Sequence, residues 1–249
     1  MSLGEIACAY FEGSTLLERI GKWRAHRADL AEQGKGPARL ASSVTMLFHV
    51  IPSDSLARKA LQEPWRITET EKNQIYVPHR ASNTSYNADG FLSSAEVGDQ
   101  SGAYGYTQIF RSGIVEYADS NCFGPTAGSG NMIWGQAIEG QMVRCYEDAI
   151  GRLRKQEQNE DVYAGFSLIG LANKHFFSTS RMLPFSRTVV RDTDNIFNSP
   201  EVLVNLNDRD ESPYSNALLP LVDTMWQVAG REGSPFRRNG VWDPFGRYN

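Results

Sequence analysis

The stretch that most limits what this chain can fold into is residues 104–119, YGYTQIFRSGIVEYAD. Tyr104, Tyr106, Gln108 and Phe110 share one face at period two, and Thr107 and Ile109 share the other, which is the alternation of a β-strand. Ser112-Gly113 follows, and glycine reaches the positive φ that a tight turn requires. Ile114, Val115 and Tyr117 then supply β-branched and aromatic side chains suited to a pleated return strand. The segment predicts an antiparallel hairpin, residues 104–110 against 114–118.

Two apolar runs have strand length. VTMLFHVI at residues 44–51 is closed by Pro52, which cannot donate to a ladder. VYAGFSLIGLA occupies residues 162–172. Continuous runs of this kind predict strands covered on both faces. His49 inside the first reads as a hydrogen-bonded core histidine, not a ligand. Gly165 and Gly170 in the second mark a bulge or a close backbone approach. Weaker strands are expected at residues 74–78, 187–191 and 201–206, and a turn at 86–90 leads into a strand at Phe91.

Helical patterns alternate with these. Residues 2–12 form a short helical stretch that Gly13 interrupts. Thr15 and Glu18 form a capping box opening a second helix to residue 33, with Leu16, Ile20, Trp23 and Leu30 as its apolar stripe. A short helix is expected at 55–62. Residues 132–156 form a long helix with Ile138, Met142, Cys145, Ala149 and Leu153 buried. The last helix carries Leu218, Leu221, Val222, Met225 and Trp226, and Pro220 either kinks it or delays its start. Trp242 and Phe245 anchor an irregular tail. Without regular βαβ alternation, the expected class is α+β: a mostly antiparallel sheet packed with helices and preceded by an N-terminal helical segment. Residues 1–36 are that segment and residues 37–249 a single domain, which a chain of 249 residues can supply with a core.

Function is less legible. A net charge of −4 excludes bulk attraction to polyanions, so any nucleic-acid surface must be local. The local candidate is the helix at 15–33, where Arg19, Lys22, Arg24 and Arg27 lie beside the apolar stripe. These four are the candidate nucleic-acid-binding residues and are expected to be partly exposed. Cys8, Cys122 and Cys145 are scattered without a C-x-x-C pair, which argues against zinc and disulfides and for a cytoplasmic protein. No apolar run approaches the roughly 20 residues of a membrane span, and the N-terminus lacks the layout of a secretion signal. H-E-x-x-H, G-x-S-x-G and Walker motifs are absent. GSGN at 128–131 lacks the lysine of a phosphate loop. His26, His49, His79 and His175 are far apart in sequence, so a Ser-His-Asp or Cys-His site assembled by the fold stays open. Asp89, Glu116 and Asp161 are metal-capable carboxylates without supporting spacing. No catalytic residue, metal or cofactor is assigned.

Several blocks together carry a resemblance: SLGEI, ERIGKWRAHR, MLFHVIP, YNADGFL, YTQIFRSGIVE, FSLIGL, PEVLV and DTMWQVAG, in this order. They resemble the region that follows the AlbA-like domain in bacterial proteins with an N-terminal Schlafen-type AlbA_2 domain, often described as DNA-binding or ATP-binding. The resemblance implies an accessory or interaction domain that supports oligomerisation, partner sensing or nucleic-acid binding. In those proteins the AlbA-like domain precedes SLGEI and would be the nucleic-acid binder, so this chain would be a C-terminal part or a shortened relative. The partners implied are nucleic acid, through the full-length protein, and a second copy of the chain. The rival expectation is a hydrolase or nuclease whose site is assembled from dispersed residues. A concave pocket with converging carboxylates or a histidine pair would favour the rival; a flat apolar patch on a symmetric interface would favour the accessory domain.

Overall fold

The computed structural model describes residues 3–42, 44–56, 67–81, 83–98, 102–121, 132–155, 161–172, 174–177, 195–206, 216–238 and 241–245. The expectations for residues 57–62, 128–131 and 187–191 lie outside them.

The hairpin forms as the alternation requires. β4 (Ala103–Phe110) and β5 (Val115–Asp119) pair antiparallel, with Tyr106 opposite Ala118 and Gln108 opposite Glu116. Gly113 takes φ 89° at the turn. β1 (Thr45–Pro52) lies between β5 and β7 (Val162–Ile169), antiparallel to both. β2 (Asn83–Tyr86) and β3 (Gly90–Glu96) extend the sheet beyond β4, while β9 (Ile196–Asn198) and β10 (Val202–Val204) both pair with β7. The order is β10-β7-β1-β5-β4-β3-β2, with β9 also on β7, and every pairing in this sheet is antiparallel. The architecture is therefore α+β, as the pattern predicts.

All eight residues of β1 are buried, because helices cover both faces. Met46, Phe48 and Val50 join the main core beneath α3 (Gly135–Lys155) and α4 (Leu219–Val228). Leu47 and Ile51 face the opposite side, where α1 (Leu3–Glu32) packs through Ala28 and Ile20. Ile138, Met142, Cys145, Ala149 and Leu153 are fully buried on α3. Of these, Ile138, Met142 and Leu153 each contribute about 1.5–3 kcal/mol relative to exposure. Ile20 is buried, and Leu16 and Trp23 pack half-buried beside it.

Four local expectations are corrected, and the alternative open at Pro220 is decided. α1 runs unbroken through Gly13, so the capping box at Thr15 opens nothing. One glycine costs a helix about 1 kcal/mol but keeps its N–H and C=O, so the ladder continues. Residues 132–134 are not helical: β6 (Met132–Trp134) pairs parallel with β8 (His175–Phe177), and α3 starts at Gly135. A Cβ at Gly135 would lie 2.3 Å from the Trp226 ring, so the indole needs that glycine. Residues 74–78 form no strand. They follow α2 (Glu69–Lys72), which Thr68 and Glu71 cap reciprocally. Side chains hold this segment instead of a ladder: Tyr76 N–H donates to Asp148, and the Thr107 hydroxyl donates to the Tyr76 carbonyl. Pro220 falls in the first turn of α4, where its missing N–H costs nothing, so the helix starts late and is not kinked. The tail forms a small ribbon, β11 (Arg237–Arg238) with β12 (Val241–Trp242), instead of irregular chain.

Candidate functional site: a histidine–aspartate pocket

The cations of α1 divide by helical phase. Arg19 and Lys22 are exposed. Arg24 and Arg27, expected to be partly exposed, are instead buried, at 1% and 8% exposure. Arg24 reaches across to β7, donating to the carbonyls of Phe166 and Ser199 and to Glu201. Its guanidinium lies against Gly165, where a Cβ would stand 2.6 Å from Cζ; this is the close approach that glycine in β7 predicts. Arg27 donates twice to Glu116, at 2.8 and 2.7 Å. His49 Nε2 and the Tyr106 hydroxyl complete the shell of Glu116, each at 2.8 Å. Burial pushes the Glu116 carboxyl up, but the hydrogen bonds from Arg27 and His49 outweigh it and hold the pKa at about 2. Burial lowers the His49 pKa. This assembly fastens α1 to the sheet and lines no opening found among the described residues.

The opposite face carries one. A cavity of about 380 Å³ is lined by His79, Asp119, Asn121, Trp134, Gln136, Ala137, Gly140, Gln141, Arg144, Pro244 and Phe245. Its floor is Asp119, the last residue of β5, which is fully buried. His79 Nε2 lies 2.8 Å from Asp119 Oδ1. Gln141 donates to Oδ2 at 2.7 Å, and the Asn121 N–H donates to Oδ1 at 2.8 Å. The Tyr76 hydroxyl in turn donates to Gln141 Oε1, so the Gln141 amide is fixed with its NH2 toward the carboxylate. The hydrogen bond to Asp119 raises the His79 pKa, against partial burial. The ring is 27% exposed, and its Nδ1 makes no hydrogen bond among the described residues.

His79 and Arg80 both have positive φ, 68° and 70°. Left-handed backbone at a residue with a Cβ costs about 1–2 kcal/mol, and such strain collects at functional sites. Apolar walls come from Trp134, Pro244 and Phe245. Gly140 lets the Phe245 ring approach α3, since a Cβ there would sit 3.1 Å from it. The exposed Arg144 guanidinium lies over the same ring, 5.4 Å from its centroid.

The tail that carries Pro244 and Phe245 is pinned at Trp242, two residues before Pro244. Glu139, fully buried on α3, accepts from the indole N–H groups of Trp226 and Trp242 and from the Ser234 hydroxyl. All three donors are neutral. Burial therefore prevails over them and raises the Glu139 pKa to about 7.

The sequence presents His79 only as one of four dispersed histidines and Asp119 only as the end of the hairpin stretch. No short motif joins them; strand register and the loop after Val77 bring together residues 40 positions apart. Of the metal-capable carboxylates, Glu116 is consumed by Arg27 and His49, Asp89 sits in the β2–β3 turn, and Asp161 lies just before β7. No group of three His, Cys, Asp or Glu side chains is placed to hold a metal ion among the described residues. Likewise, no helix among them is long and apolar enough to cross a membrane. Comparison with known proteins returned no matching family model, no matching curated protein and no matching solved structure.

Proposed function

We propose that this chain is a small-molecule-binding accessory domain, a cytoplasmic sensing module whose ligand enters the pocket at His79 and Asp119. The observation that supports it is the cavity itself, because a concave apolar site with a few convergent, pre-oriented polar groups is the usual form of a ligand pocket. The resemblance to the region beside AlbA_2 domains supports the accessory role. A thermal-shift screen of soluble metabolites tests the reading, with Ala137→Phe as a control that fills the cavity from α3. At least one compound should stabilise the natural chain and not this variant; if none does, the reading is wrong.

The hydrolase reading is favoured by one feature of the same pocket. A buried carboxylate that orients a histidine is the general-base half of a nucleophilic site. His79, holding Asp119 through Nε2, would take a proton at Nδ1. Chromogenic esters and phosphates are suitable substrates, and His79→Gln should slow any turnover by about 10²–10⁴-fold. Support of nucleic-acid binding in a full-length relative now rests on Arg19 and Lys22 alone of the four candidate cations. Neutralising both should flatten the salt dependence by about two ions at most.

A further inference from the structure

We infer that the pocket selects a small molecule carrying a carboxylate or phosphate on a flat apolar body, the anionic group meeting Arg144 and His79 and the body lying between Trp134 and Phe245. This inference rests on the small-molecule reading above and adds the ligand's chemical class. The polar lining supports the sign of charge. Among the described residues Asp119 is the only carboxylate in the lining, and it already accepts from His79, Gln141 and the Asn121 backbone. Its oxygens are therefore engaged by donors of the protein itself. Arg144 is a cation of the lining with no carboxylate partner among the described residues; it is exposed, hydrogen-bonds the Tyr76 hydroxyl and lies over the Phe245 ring. A planar guanidinium held on an aromatic face presents its N–H fork to a carboxylate or phosphate in the bidentate geometry those groups prefer.

The walls specify the remainder. Trp134, Ala137, Gly140, Pro244 and Phe245 offer ring faces and bare backbone, which a planar apolar body covers at little entropic cost. The cavity volume lies in the range of sites for molecules of metabolite size. Inorganic phosphate alone would leave these walls wet, so the body contributes to affinity as well as the charge.

The test is an NMR titration of the full chain with benzoate, phenyl phosphate, inorganic phosphate, benzyl alcohol and benzylamine. The amide signals of Asn121, Gln141 and Arg144 report pocket occupancy. Benzoate or phenyl phosphate should shift these signals saturably, with at least tenfold tighter binding than benzyl alcohol, benzylamine or inorganic phosphate. Arg144→Gln should weaken that binding at least tenfold, whereas Lys22→Gln, a cation remote from the pocket, should leave it unchanged. Preference for phenyl phosphate over benzoate, or the reverse, decides which anionic group the site takes. Equal or tighter binding of the neutral or cationic ring overturns the anionic class and leaves the pocket reading standing. Unchanged affinity in Arg144→Gln also overturns the class. If no probe of any charge shifts the pocket signals, the inference and the small-molecule reading fall together.

Discussion

Glu116 and Glu139 are both fully buried glutamates, one on each side of the sheet. Glu116, on the α1 side, faces the Arg27 guanidinium and is held ionised with its pKa at about 2. Glu139, on the α3 side, faces two indoles and a serine and sits at about 7. Each accepts hydrogen bonds from three different side chains besides its own burial, so neither the number of donors nor the depth separates them. The charge of the donors does. Neutral donors only partly replace lost hydration, whereas a guanidinium adds an opposite charge in a medium that screens it weakly. The α1 side is consequently a fixed clamp, and the α3 side, where the pocket and its tail lie, is the side that responds to pH near neutrality.

The largest expected effect comes from breaking the clamp. Arg27→Met leaves Glu116 buried without its cation, which should cost about 3–5 kcal/mol in chemical denaturation at pH 7. That cost should shrink as pH falls toward 2, because the natural chain loses the Glu116 contribution there too. A cost below about 1 kcal/mol would mean that the carboxylate finds another partner and that the contrast is misdrawn.

Glu139 sharpens the contrast through its opposite sign. Its folded pKa lies above the ordinary 4.5, so its contribution to stability is complete below pH 4.5 and is lost as pH rises through 7. The loss amounts to about 3 kcal/mol. Glu116 lies below 4.5, so its contribution is complete above pH 4.5 and disappears as pH falls through 2. Denaturation of the natural chain and of Glu139→Gln from pH 4.5 to 8 should show the difference between them moving against the natural chain. A constant difference would remove Glu139 as the neutral-range group.

Gly165→Ala probes the clamp more gently. Its Cβ must displace the Arg24 guanidinium, at a cost of about 1–3 kcal/mol typical of overpacking. The substitution should leave the His79 titration untouched, because it acts on the other face.

The smallest effect on stability, and the most specific to the pocket, is Asp119→Asn. The His79 pKa, raised in the natural chain, should fall toward 6.5 in a ring-proton NMR titration. The stabilisation from His79 is complete below pH 6.5 and is lost as pH rises through its folded value, so the variant should also flatten that part of the pH profile. An unmoved His79 titration would show that the pair is not coupled.

Much of the scaffold was legible because its cause is local. The alternation around Ser112-Gly113 fixes a hairpin, the apolar runs fix two strands covered on both faces, and the α3 stripe fixes which side of that helix is buried. Glycine in β7 points to a bulge or a close approach; the structure shows the approach at Gly165, made by an arginine the pattern does not name. Two of the misreadings lie where a distant side chain overrides a local signal: Trp226 demands Gly135, and Asp148 with Thr107 hold Tyr76 without a strand.

The division at α1 shows the limit most plainly. In sequence, Arg19, Lys22, Arg24 and Arg27 are four equivalent cations on an amphipathic helix. Burial of two and exposure of two depends on what the sheet presents: the bare Gly165 and the Phe166 and Ser199 carbonyls for Arg24, and Glu116 for Arg27. The same holds for His79, whose partner is 40 residues away. By itself the sequence determined the hydrophobic periodicities, hence the strands, the helices and the α+β class, because those follow from neighbours along the chain. Which polar groups meet, which carboxylate is ionised and where a cavity opens were decided only by the tertiary structure, because electrostatic pairing depends on separation in space and on exclusion of water.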